Sequence, residues 1–166
     1  MMVKSQRPVY SKAKKGKKEI RTSDLLKFVV SIVICQLAGF VGANFSIPAI
    51  PTWYNTLKKP YFTPPNSVFS PVWIALFFLM GISLYLVWRD PFKLQTKKSA
   101  IILFAIQLAL NIFWSIIFFG LRAPFEAFIE IIVLWLAILL TIIVFFRVSK
   151  LAGVLMIPYL LWVSFA

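Results

Sequence analysis

Apolar residues in this chain come in long blocks separated by short polar links, without the strict two-residue alternation of a membrane barrel strand. Residues 28–57 and 60–88 carry no charged side chain over 30 and 29 positions, and residues 99–121 none over 23. A helix crosses a bilayer with about 20 apolar residues, so three spans follow. Residues 131–146 and 151–166 are charge-free for 16 each, a length that also suits buried or interfacial helices. The fourth block lengthens through 125–130 provided that Glu126 and Glu130 sit near an interface or against another helix. The pattern predicts helices near 25–47, 68–88, 99–120, 125–146 and 150–166. Backbone groups in hydrocarbon must be satisfied internally, so runs this apolar pack side by side as helices. The expected fold is all-α: a polytopic five-transmembrane-helix bundle over 25–166, preceded by a basic arm over 1–24.

Helix breakers set the limits. Pro48 and Pro51 are expected to close the first helix, Pro60, Pro64, Pro65 and Pro71 to precede or open the second, and Pro91 to follow it. Gly120 and Pro124 separate the third and fourth, and the link Arg147, Ser149, Lys150 folds the last two into an antiparallel hairpin.

Composition sharpens this picture. The chain is 61% hydrophobic and 14% charged, with a mean hydropathy of +0.88, whereas soluble domains carry roughly 25% charged residues. Eighteen basic residues against five acidic give a formal net charge of +13. In a membrane chain that excess reads as sidedness and lipid attraction rather than nucleic-acid binding. With five crossings, the arm, the 89–98 link and the 147–150 link share one side. The Lys58/Lys59 segment, the Arg122 turn and the C-terminus share the other. The positive-inside rule places the N-terminus inside and the C-terminus outside for a plasma membrane, and guides less well for an organelle membrane. The sequence has no His and one cysteine, Cys35. That excludes an internal disulfide, a cysteine/histidine zinc site, a His-based triad and haem ligation by imidazole. No phosphate loop, acidic metal cluster or nucleic-acid module is present.

Candidate chemistry lies at four places. The segment from Trp53 to Pro71 reads WYNTLKKPYFTPPNSVFSP, stiff with proline and rich in rings suited to the headgroup level. It serves either as an interfacial anchor or as a lid over a cavity, with Lys58 and Lys59 offering charge to a ligand carboxylate. In the third block Gln107, Asn111, Trp114 and Phe118 fall within about 60° of one helix face. They suit interhelical hydrogen bonding or a pocket for a flat apolar ligand with polar edges. Tyr159 and Trp162 share a face of the last helix, and Trp53, Trp73, Trp114, Trp135 and Trp162 stand on or next to different helices. Glu126 and Glu130 are most simply paired with Arg122 at the helix start. Ala38/Gly42 and Gly39/Ala43 permit close helix approach, within the bundle or across a dimer.

The runs WYNTLKKPYFTPPNSVFSPVW, LMGISLYLVW, QLALNIFWSIIFFG and PYLLWVSFA resemble, in order, the translocator protein family, also called the tryptophan-rich sensory proteins (TspO). The resemblance implies a five-helix bundle, commonly dimeric, whose cavity is covered by the first long loop. It implies ligands such as protoporphyrin and haem, with sterols and benzodiazepine-like drugs for some members. Carried over by motif, the ligand-binding residues are Trp53, Lys59, Pro60, Pro64, Pro65, Asn111, Trp114, Phe118, Trp135, Tyr159 and Trp162, to which the residue reading adds Lys58 and Gln107. Three departures stand out. Ser67 and Ser70 replace a usual tryptophan and a frequent glycine of the loop motif, which implies a looser lid. The family's asparagine- and tryptophan-containing tail is absent after Ala166, which leaves a fifth helix of about 25 Å against a ~30 Å core. No Lys or Arg follows Tyr159, so the sterol pattern is missing. The expectation is a multi-pass receptor for tetrapyrroles, with no resident cofactor or metal, in a plasma membrane or organelle membrane, with a lipid environment, sterol as a further candidate ligand and a homodimeric assembly. A light- and oxygen-dependent porphyrin-degrading enzyme and a porphyrin or sterol transporter are the competing readings.

Overall fold

The computed structural model describes residues 22–91 and 94–165. The basic arm read over 1–24 lies outside the described residues up to position 21, as do Phe92, Lys93 and Ala166. Among the described residues every regular element is helical. Helix α1 spans Thr22–Ala49 and runs directly into a π-helical turn, Ile50–Tyr54. Helix α2 spans Asn66–Arg89, and α3 spans Leu94–Ser115 and continues into a second π-helical turn, Ile116–Gly120. Helices α4, Pro124–Val148, and α5, Lys150–Phe165, form the closing hairpin. The first four, with their π turns, are long and apolar enough to cross a membrane; α5 is apolar and shorter. The five predicted blocks are therefore five helices, and the chain is a multi-pass integral membrane protein.

Two boundaries differ from expectation. Helix α1 does not stop at Pro48, and Trp53 and Tyr54 are helical rather than part of a loop. A proline leaves the carbonyl one turn earlier without its donor, and in an apolar surrounding that group must be satisfied locally. The chain does so by widening to i→i+5 bonding over Ile50–Tyr54, and two hydroxyls add bonds to carbonyls at and beyond the prolines. The Thr52 hydroxyl donates to the Pro48 carbonyl at 2.8 Å and the Thr56 hydroxyl to the Trp53 carbonyl at 2.7 Å. At the other end, α2 opens right after Pro65 and carries Pro71 inside. The non-helical lid is consequently shorter than the Trp53–Pro71 stretch suggests.

Around the bundle the helices neighbour one another in the order α1, α2, α5, α4, α3, and α3 closes the ring against α1. The half nearest the α2–α3 and α4–α5 links is packed solid. There Phe104 stacks on Phe145 with centroids 5.7 Å apart and planes 10° from parallel. The Ser83 hydroxyl donates to the Ala152 carbonyl at 2.7 Å, and Met80, Val87 and Ala152 are fully enclosed. The small residues of α1 are used inside the bundle. A methyl group on Gly39 would meet the Phe77 ring at 2.5 Å, and one on Gly42 the Ser115 hydroxyl at 3.0 Å. Toward the 57–65 loop the same helices part, and that is where the candidate site lies.

Candidate functional site

Two cavities occupy the open half. The larger, about 570 Å³, is a groove walled by α1 from Ile32 to Ile47, the first three turns of α2, and Asn111, Trp114 and Ser115 of α3. Its rim includes Val33, Leu37, Phe40, Ile47 and Ile74, which are exposed on the outer face of the bundle. It therefore opens sideways between helices, onto the surface that the apolar composition assigns to lipid. The smaller, about 170 Å³, lies beneath the loop. Lys59, Pro60, Phe62, Thr63 and Pro64 roof it, Tyr54, Phe118 and Phe119 come from the π turns, and Trp162 and Phe165 close it from α5.

Local chain geometry explains why these side chains converge. The two π turns face each other, and their rings interlock. Trp53 meets Phe118 edge-on at 5.4 Å, Tyr54 meets Phe119 at 5.9 Å, and Trp114 stacks on Phe118 at 5.0 Å with planes 8° apart. Such contacts contribute about 0.5–1.5 kcal/mol each beyond burial, with fixed geometry. On α5, Pro158 interrupts the helical bonding next to Tyr159. Tyr159 is fully buried, and its hydroxyl accepts a 2.9 Å hydrogen bond from the Asn111 amide. That bond ties α3 to α5 and fixes which way the Asn111 side chain faces the groove. The Lys59 ammonium sits 4.3 Å from the centre of the Tyr54 ring, a cation–π contact that holds the charge at the loop-capped chamber.

The residues singled out from the sequence distribute as follows. Asn111 and Trp114 line the groove; Lys59, Pro60, Pro64, Trp114, Phe118 and Trp162 line the chamber. Trp53, Lys58, Pro65, Gln107, Trp135 and Tyr159 line neither. Trp53 supports the chamber from behind through Phe118, and Lys58 and Pro65 are exposed in and beside the loop. The Trp135 indole donates to the Ser164 hydroxyl at 2.7 Å, so it pins α4 to α5. Gln107 is sealed in the packed half, with neither amide atom hydrogen-bonded. The pairing expected for Glu126 and Glu130 is not formed. Glu126 and Arg122 are exposed, and both carboxylate oxygens of Glu130 are buried without a hydrogen-bond partner. Arg122, between the second π turn and α4, has a left-handed backbone with φ 55°.

Sequence reading missed most of the groove. Gln36, Ser46, Ser70 and Ser115 line it alongside apolar residues of α1 and α2. They are scattered polar residues on apolar helices, and only the spacing of Ser70 from Trp73 and Phe77 on α2 hinted at a shared face.

This arrangement defines a class: a polytopic helical membrane protein with two adjoining aromatic-walled cavities, a groove that opens between helices and a chamber roofed by a proline-rich loop. Residues 31–166 match the model of the TspO/MBR family, and the chain belongs to that family. Among its relatives, the tryptophan-rich protein TspO of Archaeoglobus fulgidus is 43% identical over 143 residues, 86% of this chain and 92% of that one. Protein CrtK of Rhodobacter capsulatus is 37% identical over 142 residues, covering 86% and 87%. The translocator protein of Homo sapiens is 38% identical over 131 residues, covering 78% of each chain.

Proposed function

We propose that this protein is a membrane receptor for tetrapyrroles, holding the flat macrocycle against Trp114 and Asn111 and its carboxylate edge near Lys59. The observation that carries this reading is the groove itself. At about 570 Å³ it falls in the range of roughly 300–1,000 Å³ typical of small-molecule sites. Its wall is apolar and aromatic, with a few neutral polar groups to orient a ligand. The family supports a sensing role, since one relative, from Cereibacter sphaeroides, is named a tryptophan-rich sensory protein. Because the sequence contains no His, recognition depends on the ring and its edges and not on imidazole ligation of iron.

Titration of the protein in nanodiscs with metal-free protoporphyrin and with haem tests this by tryptophan quenching. Saturable binding is expected for both, with the metal-free ring bound at least as tightly. Binding that requires iron, or no saturable binding, overturns the reading.

A further inference from the structure

The two cavities divide between them what an amphipathic ligand needs. The groove has volume and no charge: its polar side chains, Gln36, Ser46, Ser70, Asn111 and Ser115, are all neutral. The chamber has charge and little volume. Among the described residues Lys59 is the one charged side chain in its wall, and its 170 Å³ lies below the roughly 300 Å³ at which ligand pockets begin. Four residues, Phe69, Trp73, Trp114 and Phe119, belong to both walls, so a single layer of side chains separates the two spaces.

Of these four, Trp114 is the one whose ring contacts all lie on the π turn that continues its own helix, whereas Phe69 packs on Tyr54 and Trp162 of other elements. Phe119 is buried and also wedged against Tyr54, and Trp73 packs on both Phe77 and Tyr159. Trp114 is half-buried and held by ring contacts to Phe118 and Phe119. Its indole N–H has no hydrogen-bond partner among the described residues, whereas the Trp135 N–H is anchored to Ser164.

We propose that groove and chamber are two compartments of one site, joined when Trp114 swings off Phe118, and that the joined site selects an amphiphile with a flat apolar body and an anionic edge. The body lies in the groove and the carboxylate reaches Lys59, where a charge-assisted hydrogen bond forms. The proposal rests on the tetrapyrrole reading for its first choice of ligand. It goes further in stating which compartment takes which end and which residue divides them.

The test compares metal-free protoporphyrin, a dicarboxylic acid, with its dimethyl ester, in nanodiscs bearing wild type, Lys59→Gln, Ser46→Phe or Trp114→Ala protein. Pyrenebutyrate and its methyl ester serve as a second, non-porphyrin pair. Lys59→Gln is expected to weaken the acids by about fivefold or more and to leave the esters within about twofold, the loss that one charge-assisted contact carries. Ser46→Phe, which fills the groove, should weaken acid and ester alike, and Trp114→Ala should speed association of both. Thermal melts confirm that each variant is folded, and Trp114→Ala gives a kinetic readout should Ser46→Phe fail to assemble. Equal effects of Lys59→Gln on acid and ester overturn the proposal, as do unchanged acid binding in folded Ser46→Phe and unchanged association in Trp114→Ala. If the pyrene pair shows the full pattern and protoporphyrin does not bind, the tetrapyrrole reading falls and the two-compartment site stands. If protoporphyrin binds without the pattern, the reverse holds. If no ligand binds, both fall.

Discussion

The polar residues of α3 show how much one helix face conceals. Gln107, Asn111, Trp114 and Phe118 point the same way, yet the face they share is 11 residues times 1.5 Å, about 16 Å, long. Over that length it passes from the packed half of the bundle to the hollow half. Gln107 is enclosed by packing with its amide unsatisfied; Asn111 is bonded to Tyr159 and faces the groove. Their substitutions should therefore behave oppositely. Removing a buried amide that has no partner relieves a desolvation penalty of about 1–3 kcal/mol. Gln107→Leu is expected to leave stability in detergent unchanged or raise it by about 1 kcal/mol, with ligand affinity within about twofold. Asn111→Leu deprives Tyr159 of its donor and the groove of its amide, and should weaken porphyrin binding by about tenfold, or ~1.4 kcal/mol. Equal losses of affinity in the two variants would show that Gln107 reaches the ligand.

At the scale of elements, the number and type of helices were legible and their ends and close approaches were not. Proline marks where regular bonding fails, but whether a helix stops or bends depends on who supplies the missing donor. Here the helix widens into a π turn, which carries Tyr54 into the wall of the chamber and Trp53 behind it against Phe118. The small-residue pairs of α1 suggested a contact without naming the partner, and Gly81 of α2 was not part of that pattern. Among the described glycines it is nevertheless the one that meets another helix's backbone. A methyl group there would come within 2.9 Å of the Ile32 Cα and 3.1 Å of the Ser31 carbonyl oxygen, both backbone atoms that cannot rotate aside. Gly81→Ala must push α1 and α2 apart, and a cost of about 1–3 kcal/mol is expected from overpacking, measured by denaturant titration in mixed micelles. Gly39→Ala meets a phenyl ring instead, which can shift, so its cost should be smaller. A Gly81→Ala variant as stable as wild type would mean that α1 and α2 are not in van der Waals contact at this level.

For the whole molecule, the ring order of helices places the long loop, the chamber and the open end of the groove on one side. The solid end, with Arg89, Lys97, Lys98, Arg147 and Lys150, lies on the other. For a plasma membrane the charge bias predicts that the solid end faces inward. Tyr61, at the loop tip, is 99% exposed, and the native Cys35 is completely buried, so single-cysteine labelling reads sidedness without background. In sealed cells or right-side-out vesicles, Tyr61→Cys should react with an impermeant maleimide from outside, and Lys98→Cys only after the membrane is opened. The reverse pattern would invert the topology and with it the side from which the lid is reached.

The amino-acid sequence by itself determined that this chain is a multi-pass membrane protein of five apolar helices, with aromatic and amide side chains concentrated on a few faces and positive charge biased to one side. Those properties follow from hydropathy, helical period and charge count, which are local and additive along the chain. Which of those side chains meet a cavity was decided by the tertiary structure alone. A cavity exists where helices part, and parting is set by pairs of residues remote in sequence: Gly81 against Ile32, Asn111 against Tyr159, and one π turn against the other.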